Sequence, residues 1–377
     1  MTGKRKTSNP PPLLPTTEGD LVDRLRLLRS RRVGIVTYRR LMAEHGNAQN
    51  ALDALPDVAR EAGVKGYETC PIGVARAELD AGHAAGAVLM TDDDPRYPAN
   101  LRDIADAPPL LWALGDFALL ARPMIALVGA RNASSLGTRM AKKLAADLTD
   151  SGFVVVSGLA RGIDTAAHLA ALPGGTAAVQ AGGVDTIYPV ENTQLAYDIA
   201  KQGVRLSEMP VGMQPQARHF PARNRIISGM AQAVIVVEAA AKSGSLITAR
   251  NALDQARDVF AVPGHPFDAR AAGCNMLLRD GATLIRNASD VIEAISPVLP
   301  EAPELDLTPP PAPRPLQQTA ALHDKILARL GPNPIAEDQL LRDVDSPAAT
   351  VAPVLVDLEL DGRIARQPGG LWAAVVN

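Results

Sequence analysis

The stretch MIALVGARNASSLG, residues 124–137, is an apolar strand that leads through a turn of small residues into the start of a helix. The same order returns in VVVSGLARGID, residues 154–164, and in IVVEAAAKSGSLITA, residues 235–249. Strands that are apolar throughout and alternate with helices predict a parallel sheet covered by helices on both faces. These stretches therefore predict an extended Rossmann-like, doubly wound, mostly parallel α/β domain.

Further predicted strands and helices continue the same alternation along the chain. Strands are predicted over Met124–Val128, Phe153–Val156, Thr176–Gln180, Val204–Ser207, Ala233–Glu238 and Val259–Val262. Helices are predicted over Thr138–Asp150, Ile163–Leu172, Leu195–Lys201 and Leu246–Arg257.

Two smaller domains are predicted to flank this domain, which we place at residues 81–295. Residues 1–18 are polar and proline-rich, as in a disordered tail, and residues 19–80 follow the period of short helices. Residues 296–316 hold eight prolines and predict an extended linker. Residues 317–377 contain helices followed by a hairpin that turns at Pro368-Gly369-Gly370. This order favours a winged helix over a hairpin that caps some other helical domain.

Composition limits the class of protein. With 47% hydrophobic and 21% charged residues in 377, the chain is expected to be globular. No signal peptide is visible, and no apolar run is long enough to predict a membrane-spanning helix. Two cysteines, Cys70 and Cys274, give neither a disulfide framework nor a metal site and suggest the cytoplasm. The net charge of −3 argues against a bulk nucleic-acid binder. Residues 121–295 nevertheless carry +3 and residues 296–377 carry −5, so an anion site is expected in the central domain.

The turns after the strands carry the candidate anion site, because ligands of such sheets bind outside the carboxyl ends of the strands. A glycine at one such turn commonly serves turn geometry alone, but three turns with added cations predict a phosphate-binding rim. The two common nucleotide fingerprints, G-x-G-x-x-G and G-x-x-x-x-G-K-[ST], are absent. The candidate residues are Gly129, Arg131, Ser134, Gly158, Arg161, Gly162, Lys242, Ser243, Gly244 and Ser245.

The segment RHFPARNRIISG, residues 218–229, places three arginines and a histidine around a phenylalanine, with no acidic residue. Single-stranded nucleic acid is bound in this way, by cations along the phosphates and aromatic rings under the bases. The alternative is that Phe220 is a core residue and the arginines are solvated. The candidate residues are Arg218, Phe220, Arg223, Asn224 and Arg225, with His219 as a weaker one.

Neither a catalytic nor a metal site is expected. Asp164 and His168 have acid–base spacing, but an acid in the first turn and a histidine one turn later also simply stabilise a helix, and no third ligand is evident. Glu208 and Glu238 are expected to hold Arg223 or Arg225. We therefore predict no cofactor and no enzymatic activity.

The motifs of this chain, and their order along it, resemble those of the DprA/Smf family over roughly residues 97–282. The matching segments are Val128-Gly129-Ala130-Arg131, Ser157–Asp164 with His168, Tyr188-Pro189, Ser207-Glu208, Phe220–Arg225, Val237-Glu238-Ala239, Ser243-Gly244-Ser245 with Thr248-Ala249, Pro263-Gly264 and Gly281-Ala282.

The resemblance implies a cytoplasmic protein of natural transformation that binds and protects incoming single-stranded DNA and helps to load the RecA recombinase. It also implies a homodimer through the Rossmann-like domain, a sterile-alpha-motif-like (SAM-like) helical domain before it and a winged helix after it. Arg131 and the segment from Arg218 to Arg225 correspond to the DNA contacts. One departure is Val190, where the family often has lysine; Arg161 or Lys242 would replace that cation.

Two further expectations concern a rival function and the C-terminal domain. The rival function is a nucleotide-binding hydrolase of the lysine-decarboxylase-like family, but its Pro-Gly-Gly-x-Gly-Thr-x-x-Glu signature is absent from the loop Glu238–Ser245. In the C-terminal domain, residues 346–360 contain no lysine or arginine, which predicts a module that binds protein and does not grip DNA.

Overall fold

The computed structural model describes residues 17–295 and 316–375, which belong to two compact units divided near residue 297. The predicted tail over residues 1–18 and the predicted linker over residues 296–316 lie almost wholly outside the described residues.

Four helices open the first unit and confirm the predicted helical region. The first begins where the Thr17 side chain accepts a hydrogen bond from the backbone N–H of Asp20, and the second ends at Gly46, whose φ of 80° suits glycine. Leu25, Leu41 and Leu52 are buried between the helices. The helices are α1 Glu18–Arg29, α2 Ile35–His45, α3 Ala48–Glu61 and α4 Ile72–Ala84.

A nine-stranded sheet with helices on both faces follows. Its elements are β1 Val88–Thr91, α5 Ala99–Arg102, β2 Leu110–Gly115, β3 Met124–Val128, α6 Ser135–Asp150, β4 Val154–Ser157, α7 Ile163–Ala171, β5 Thr176–Val179, α8 Thr193–Gln202, β6 Val204–Ser207, α9 His219–Met230, β7 Ala233–Val236, α10 Ser245–Asp254, β8 Asp258–Ala261, α11 Ala272–Arg279, β9 Thr283–Leu284 and α12 Ala288–Ile295.

The strand order is β1-β2-β6-β5-β4-β3-β7-β8-β9, and strands β3 to β9 run parallel. Ala126 of β3 lies opposite Val156 of β4 on one side and Val234 of β7 on the other. The chain builds the sheet outward from β3 to β6 and then returns through α9 to start again at β7. The switch point of this doubly wound sheet, where a ligand crevice is expected, therefore lies between β3 and β7.

Two hydrophobic cores hold the sheet between its helices. On one face Val128 packs with Ile226 of α9 and Ala249 of α10, and on the other Ile125 packs with Leu144 of α6. Each fully buried aliphatic side chain of this size contributes about 1.5–3 kcal/mol. The cores therefore fix the helix N-termini relative to the strand ends. No helix among the described residues is both long and apolar enough to cross a bilayer.

The second unit has the helices and antiparallel hairpin of a winged helix, as predicted. The hairpin turns at Gly369 and Gly370, both with positive φ, and Trp372 packs on Ile326 and Leu355. The elements are α13 Leu316–Arg329, β10 Ile335–Ala336, α14 Glu337–Val344, α15 Ala348–Leu360, β11 Ile364–Gln367 and β12 Leu371–Ala374.

Candidate functional site

Three loops meet at the carboxyl edge of the central sheet. They follow β4, β3 and β7, which are neighbours in the sheet, so the loops lie side by side. Each leads into a helix, so the N-termini of α7, α6 and α10 open on the same edge. Helix N-termini offer unpaired N–H groups and partial positive charge, which favours anions. The first turn of α9 also lies at this edge because the chain leaves β6 there.

Arg131, Phe220 and Tyr188 form a stack at this edge. The guanidinium carbon of Arg131 lies 5.1 Å from the centroid of the Phe220 ring. The Tyr188 ring centroid lies 5.6 Å from that of Phe220, with the ring planes tilted by 55°. Arg131 and Tyr188 are exposed and Phe220 is half-buried. Phe220 is thus a platform between two exposed side chains, and a cation on an exposed ring is held by about 0.5–1 kcal/mol.

A cavity of about 570 Å³ opens beside this stack, between the loops that follow β3 and β7. Its volume is within the ordinary range for small-molecule pockets. A depression of about 20 Å³ that also touches Arg131 and Phe220 is lined by Gly158, Arg161 and Tyr188. The residues that line the cavity include Gly129, Arg131, Phe220, Arg223, Asn224, Lys242, Ser243, Gly244, Ser245, Thr248 and Arg270.

The loop after β7 presents hydroxyl groups and a cation to the cavity. The Oγ atoms of Ser243 and Ser245 lie 2.7 Å apart, and the Asn224 amide donates a 3.4 Å hydrogen bond to the carbonyl of Gly244. Lys242 is exposed and forms no ion pair within the described residues. Among the described residues no histidine contacts either serine, and the hydroxyls with the nearby cation can bind an anion.

Ser134 anchors the loop after β3 and does not line the cavity. Its backbone N–H and its hydroxyl donate to Oε2 of Glu238 at 3.0 and 2.9 Å. Glu238 also lies 3.7 Å from Nε of Arg270. The expectation that Glu238 holds Arg223 or Arg225 is therefore wrong, because its carboxylate is used to anchor this loop.

Arg223 corrects a second expectation. Its side chain is 4% exposed, and Nη1 donates to the carbonyls of Gly158 at 2.6 Å and Val179 at 2.5 Å. Burial lowers the pKa of Arg223 to about 10, against the opposing effect of the Asp164 carboxylate. Arg223 is thus a buried structural cation beneath the cavity, and it is not a surface contact for phosphate.

Arg225 is also engaged inside the protein. Its guanidinium donates to Glu208 at 2.6 Å and lies 3.2 Å from Asp106. The pairing with Glu208 matches the expectation for that residue, and burial raises the pKa of the Glu208 carboxyl. With its side chain 12% exposed, Arg225 has a structural ion pair as its observed role, in place of the predicted surface contact.

The start of the basic segment lies beside the cavity and does not line it. His219 is buried, and its Nδ1 accepts a 3.2 Å hydrogen bond from the backbone N–H of Gln216. Arg218 is exposed, and its Nε lies 3.4 Å from Nε2 of His219. The weak expectation of a DNA contact at His219 is therefore wrong, whereas Arg218 remains accessible.

Asp164 and His168 have the structural role favoured above. Oδ2 of Asp164 accepts hydrogen bonds from the N–H groups of Gly158 at 3.1 Å and Ala160 at 3.3 Å. Nε2 of His168 accepts from the N–H of Leu159 at 3.3 Å. These two side chains thus shape the loop after β4. Across the described ranges, 17–295 and 316–375, no three acidic, histidine or cysteine side chains converge as metal ligands.

The loops after β3 and β4 pack directly on each other. Gly162 has a φ of +81°, and a Cβ there would overlap the carbonyl oxygen of Ala130. The neighbouring N–H of Ile163 donates to the same oxygen at 3.1 Å. Gly162 therefore contributes close approach and backbone conformation.

Val190, which stands where the DprA/Smf family often has lysine, is 76% exposed. Arg161 lies 3.5 Å from Glu191 and lines the smaller depression, and Lys242 lines the cavity. Both cations therefore lie at this edge of the sheet, and Arg161 is already paired with Glu191.

Tyr188 and Arg270 line the site but were not among the predicted site residues. Tyr188 could have been suspected as an aromatic residue fixed by a following proline. Arg270 lies on the loop after β8, and its only sequence signal was the position of Pro263-Gly264 at the end of a strand.

Comparison with known proteins covers all three parts of the chain. Residues 88–296 match the family model for DNA recombination-mediator protein A. Residues 18–81 match the DprA-like N-terminal HHH domain, and residues 310–370 match the DprA winged helix domain.

Individual relatives agree with these matches. Protein Smf of Synechocystis is 36% identical over an alignment of 312 residues, gaps included, which covers 74% of this chain and 78% of that protein. The X-ray structure of DNA processing protein A from Streptococcus pneumoniae superposes with a TM-score of 0.57 at 36% identity, covering 70% of this chain and 98% of that one. A structure that describes the single-stranded DNA binding mode of DNA processing protein A from Helicobacter pylori has a TM-score of 0.51 at 31% identity, covering 55% and 94%. Since the central family model alone spans more than half of the residues, this chain belongs to the DprA/Smf family of DNA-processing proteins.

Proposed function

We propose that the carboxyl edge of the central sheet binds single-stranded DNA, and that the protein protects such DNA and helps to load RecA onto it. The observation that carries the proposal is the stack of Arg131, Phe220 and Tyr188 beside a cation-lined cavity. Aromatic platforms next to cations are how proteins hold single strands, with about 1–3 kcal/mol for each stacked base.

Within this proposal the phosphates lie over the cavity and the bases lie on the stack. Arg131, Lys242 and Arg270 neutralise phosphates, and the hydroxyls and N–H groups at the start of α10 donate hydrogen bonds to them. The Arg131 guanidinium already covers part of the Phe220 ring. The outer face of the guanidinium is therefore available for stacking on a base. The cation of the stack is therefore already positioned before DNA binds.

The remaining parts of the proposal rest on family membership. The match to a recombination-mediator family supports RecA as a protein partner. We further propose a homodimer formed through the central domain and a cytoplasmic location. The single-stranded DNA bound by the Helicobacter pylori relative supports the choice of ligand.

The test is fluorescence anisotropy with a labelled single strand and a duplex of the same sequence. We expect tighter binding of the single strand. Equal binding of both DNA forms would refute the proposal. Incubation with nucleoside monophosphates supplies the second arm, in which released base would instead support the hydrolase.

A further inference from the structure

The loop after β8, residues 262–271, carries an exposed pair of aromatic rings. Phe267 is 95% exposed, and its ring centroid lies 5.5 Å from that of His265, with a 38° angle between the planes. The chain has only five phenylalanines. Placing one in water forgoes the hydrophobic stabilisation that burial of this side chain would contribute. A large exposed aromatic of this kind is a candidate contact residue.

The geometry of the loop holds both rings outward. The backbone N–H of Phe267 donates to Nδ1 of His265 at 3.3 Å. Asp268 accepts a 2.9 Å hydrogen bond from the N–H of Arg270, and Gly264 exchanges hydrogen bonds with the Asn275 side chain at 3.2 and 3.0 Å. These contacts tie the loop to itself and to α11, so the exposed rings have a defined position.

This loop is continuous with the site proposed above. Because β8 runs parallel to β7, both strands end at the same edge of the sheet, and their loops are neighbours. Arg270 lies on the β8 loop and lines the cavity together with Arg131 and Lys242. Phe267 therefore precedes, by three residues, a cation that faces the candidate phosphate site.

We propose that Phe267 and His265 form a second stacking platform for bases of single-stranded DNA. The strand would pass from the Arg131–Phe220–Tyr188 stack, over the cavity, to the loop after β8. This inference rests on the proposed function and extends its binding path by one loop. Arg270 lies 3.5 Å from Asp268 of the same loop, so the positive charge comes mainly from Arg131 and Lys242 in the adjoining cavity. The continuity of the loop with that cavity favours a polyanion as the occupant over a second copy of this chain.

The main experiment compares short and long oligothymidylates, of about 6 and about 20 nucleotides, because single-strand site sizes are about 4–16 nucleotides. Phe267→Ala in the full-length protein should weaken binding of the long oligonucleotide about fivefold or more, as expected from loss of one stack. It should leave the short oligonucleotide unaffected, and Phe267→Tyr should retain binding of both. Leu360→Ala, at another exposed apolar residue, is the control and should change neither affinity.

A spectroscopic test reports on stacking directly. The native tryptophans, Trp112 and Trp372, are 1% and 4% exposed, so Phe267→Trp adds an exposed indole to a buried background. We expect the long oligothymidylate to quench its emission and the short one to quench it little. Absence of quenching with a saturating long oligonucleotide would contradict stacking at this position.

The outcomes separate this inference from the proposed function. If Phe220→Ala weakens binding while Phe267→Ala does not at any length, the second platform is refuted and the proposed function stands. If the unmodified protein does not bind single strands, the proposed function itself fails. If Phe267→Ala lowers the molar mass in light scattering and leaves DNA affinity unchanged, Phe267 belongs to a contact between copies, which also refutes the platform.

Discussion

At the scale of single residues, Arg131 and Arg223 line the same cavity in different surroundings. Arg131 is exposed on an aromatic ring, whereas the Arg223 guanidinium is buried among backbone carbonyls and near Asp164. Removing one partner of a buried charged pair typically costs about 3–5 kcal/mol. We therefore expect Arg223→Ala to lower the thermal unfolding midpoint clearly and Arg131→Ala to leave it close to that of the parent. An Arg223→Ala protein that melts with the parent would contradict the structural role.

His168 gives a prediction for pH. Nδ1 lies 2.7 Å from the Thr176 hydroxyl, which donates to the carbonyl of Val155, so Nδ1 is the donor and Nε2 the acceptor of a neutral ring. Burial lowers the pKa of His168 to about 3, below the roughly 6.5 of an unfolded histidine. Below about pH 6.5 the unfolded chain therefore binds a proton that the folded chain does not.

This histidine should make the protein less stable as the pH falls. We expect its contribution to the free energy of unfolding to drop by about 2 kcal/mol between pH 7 and pH 5. Denaturant unfolding at several pH values measures this, and His168→Gln should show a flatter dependence over that interval. An identical pH dependence in the variant would show that His168 does not titrate as described.

At the scale of secondary-structure elements, the start of α6 depends on a close approach that only glycine permits. A Cβ at Gly137 would overlap the carboxylate of Glu238, which anchors Ser134. Gly137→Ala should therefore destabilise the protein by about 1–3 kcal/mol, through strain and the displaced hydrogen bonds. The matched control is Gly73→Ala in α4, where no atom lies within 4 Å of the new Cβ. The control should be neutral or stabilising by about 0.5–1 kcal/mol in denaturant unfolding. Equal stabilities of the two variants would contradict the account.

Elements with a strong apolar pattern were predictable from the sequence. The six strands that were predicted are present within one or two residues, because each is mainly apolar and is followed by a turn or loop. Strands β1, β2 and β9 were not predicted. They lie toward the two edges of the sheet, and β9 has only two residues.

Helix α9 shows what the sequence left undecided at the site. The basic segment was interpreted by its composition, and the burial of Arg223 depends on helical spacing. Arg223 lies three and four residues before the buried Ile226 and Ile227, so it shares their inward face. That spacing was a usable signal, but the carbonyl partners of the arginine come from distant strands and could not be read from one sequence. The three glycine loops were predictable because adjacent parallel strands end at one edge.

At the scale of the whole molecule, the charge is divided between the two units. Residues 121–295 have a net charge of +3 and residues 296–377 of −5, and α15 has Asp357 and Glu359 but no lysine or arginine. We infer that the C-terminal unit does not bind DNA. A protein ending at residue 295 should therefore retain most of the single-strand affinity of the full chain. A loss beyond tenfold, about 1.4 kcal/mol, in an anisotropy titration would contradict this division.

The central claim is that Arg131 neutralises a phosphate of single-stranded DNA, and salt dependence tests it most directly. Lys201→Ala removes the same charge from an exposed position in the last turn of α8, away from the cavity, and serves as the control. Affinities for one oligothymidylate are measured over a series of salt concentrations. We predict that Arg131→Ala weakens binding and makes the slope of log affinity against log salt shallower by about 0.7, while Lys201→Ala keeps the parental slope. A parental slope for Arg131→Ala, or an equal change in both variants, would contradict the claim.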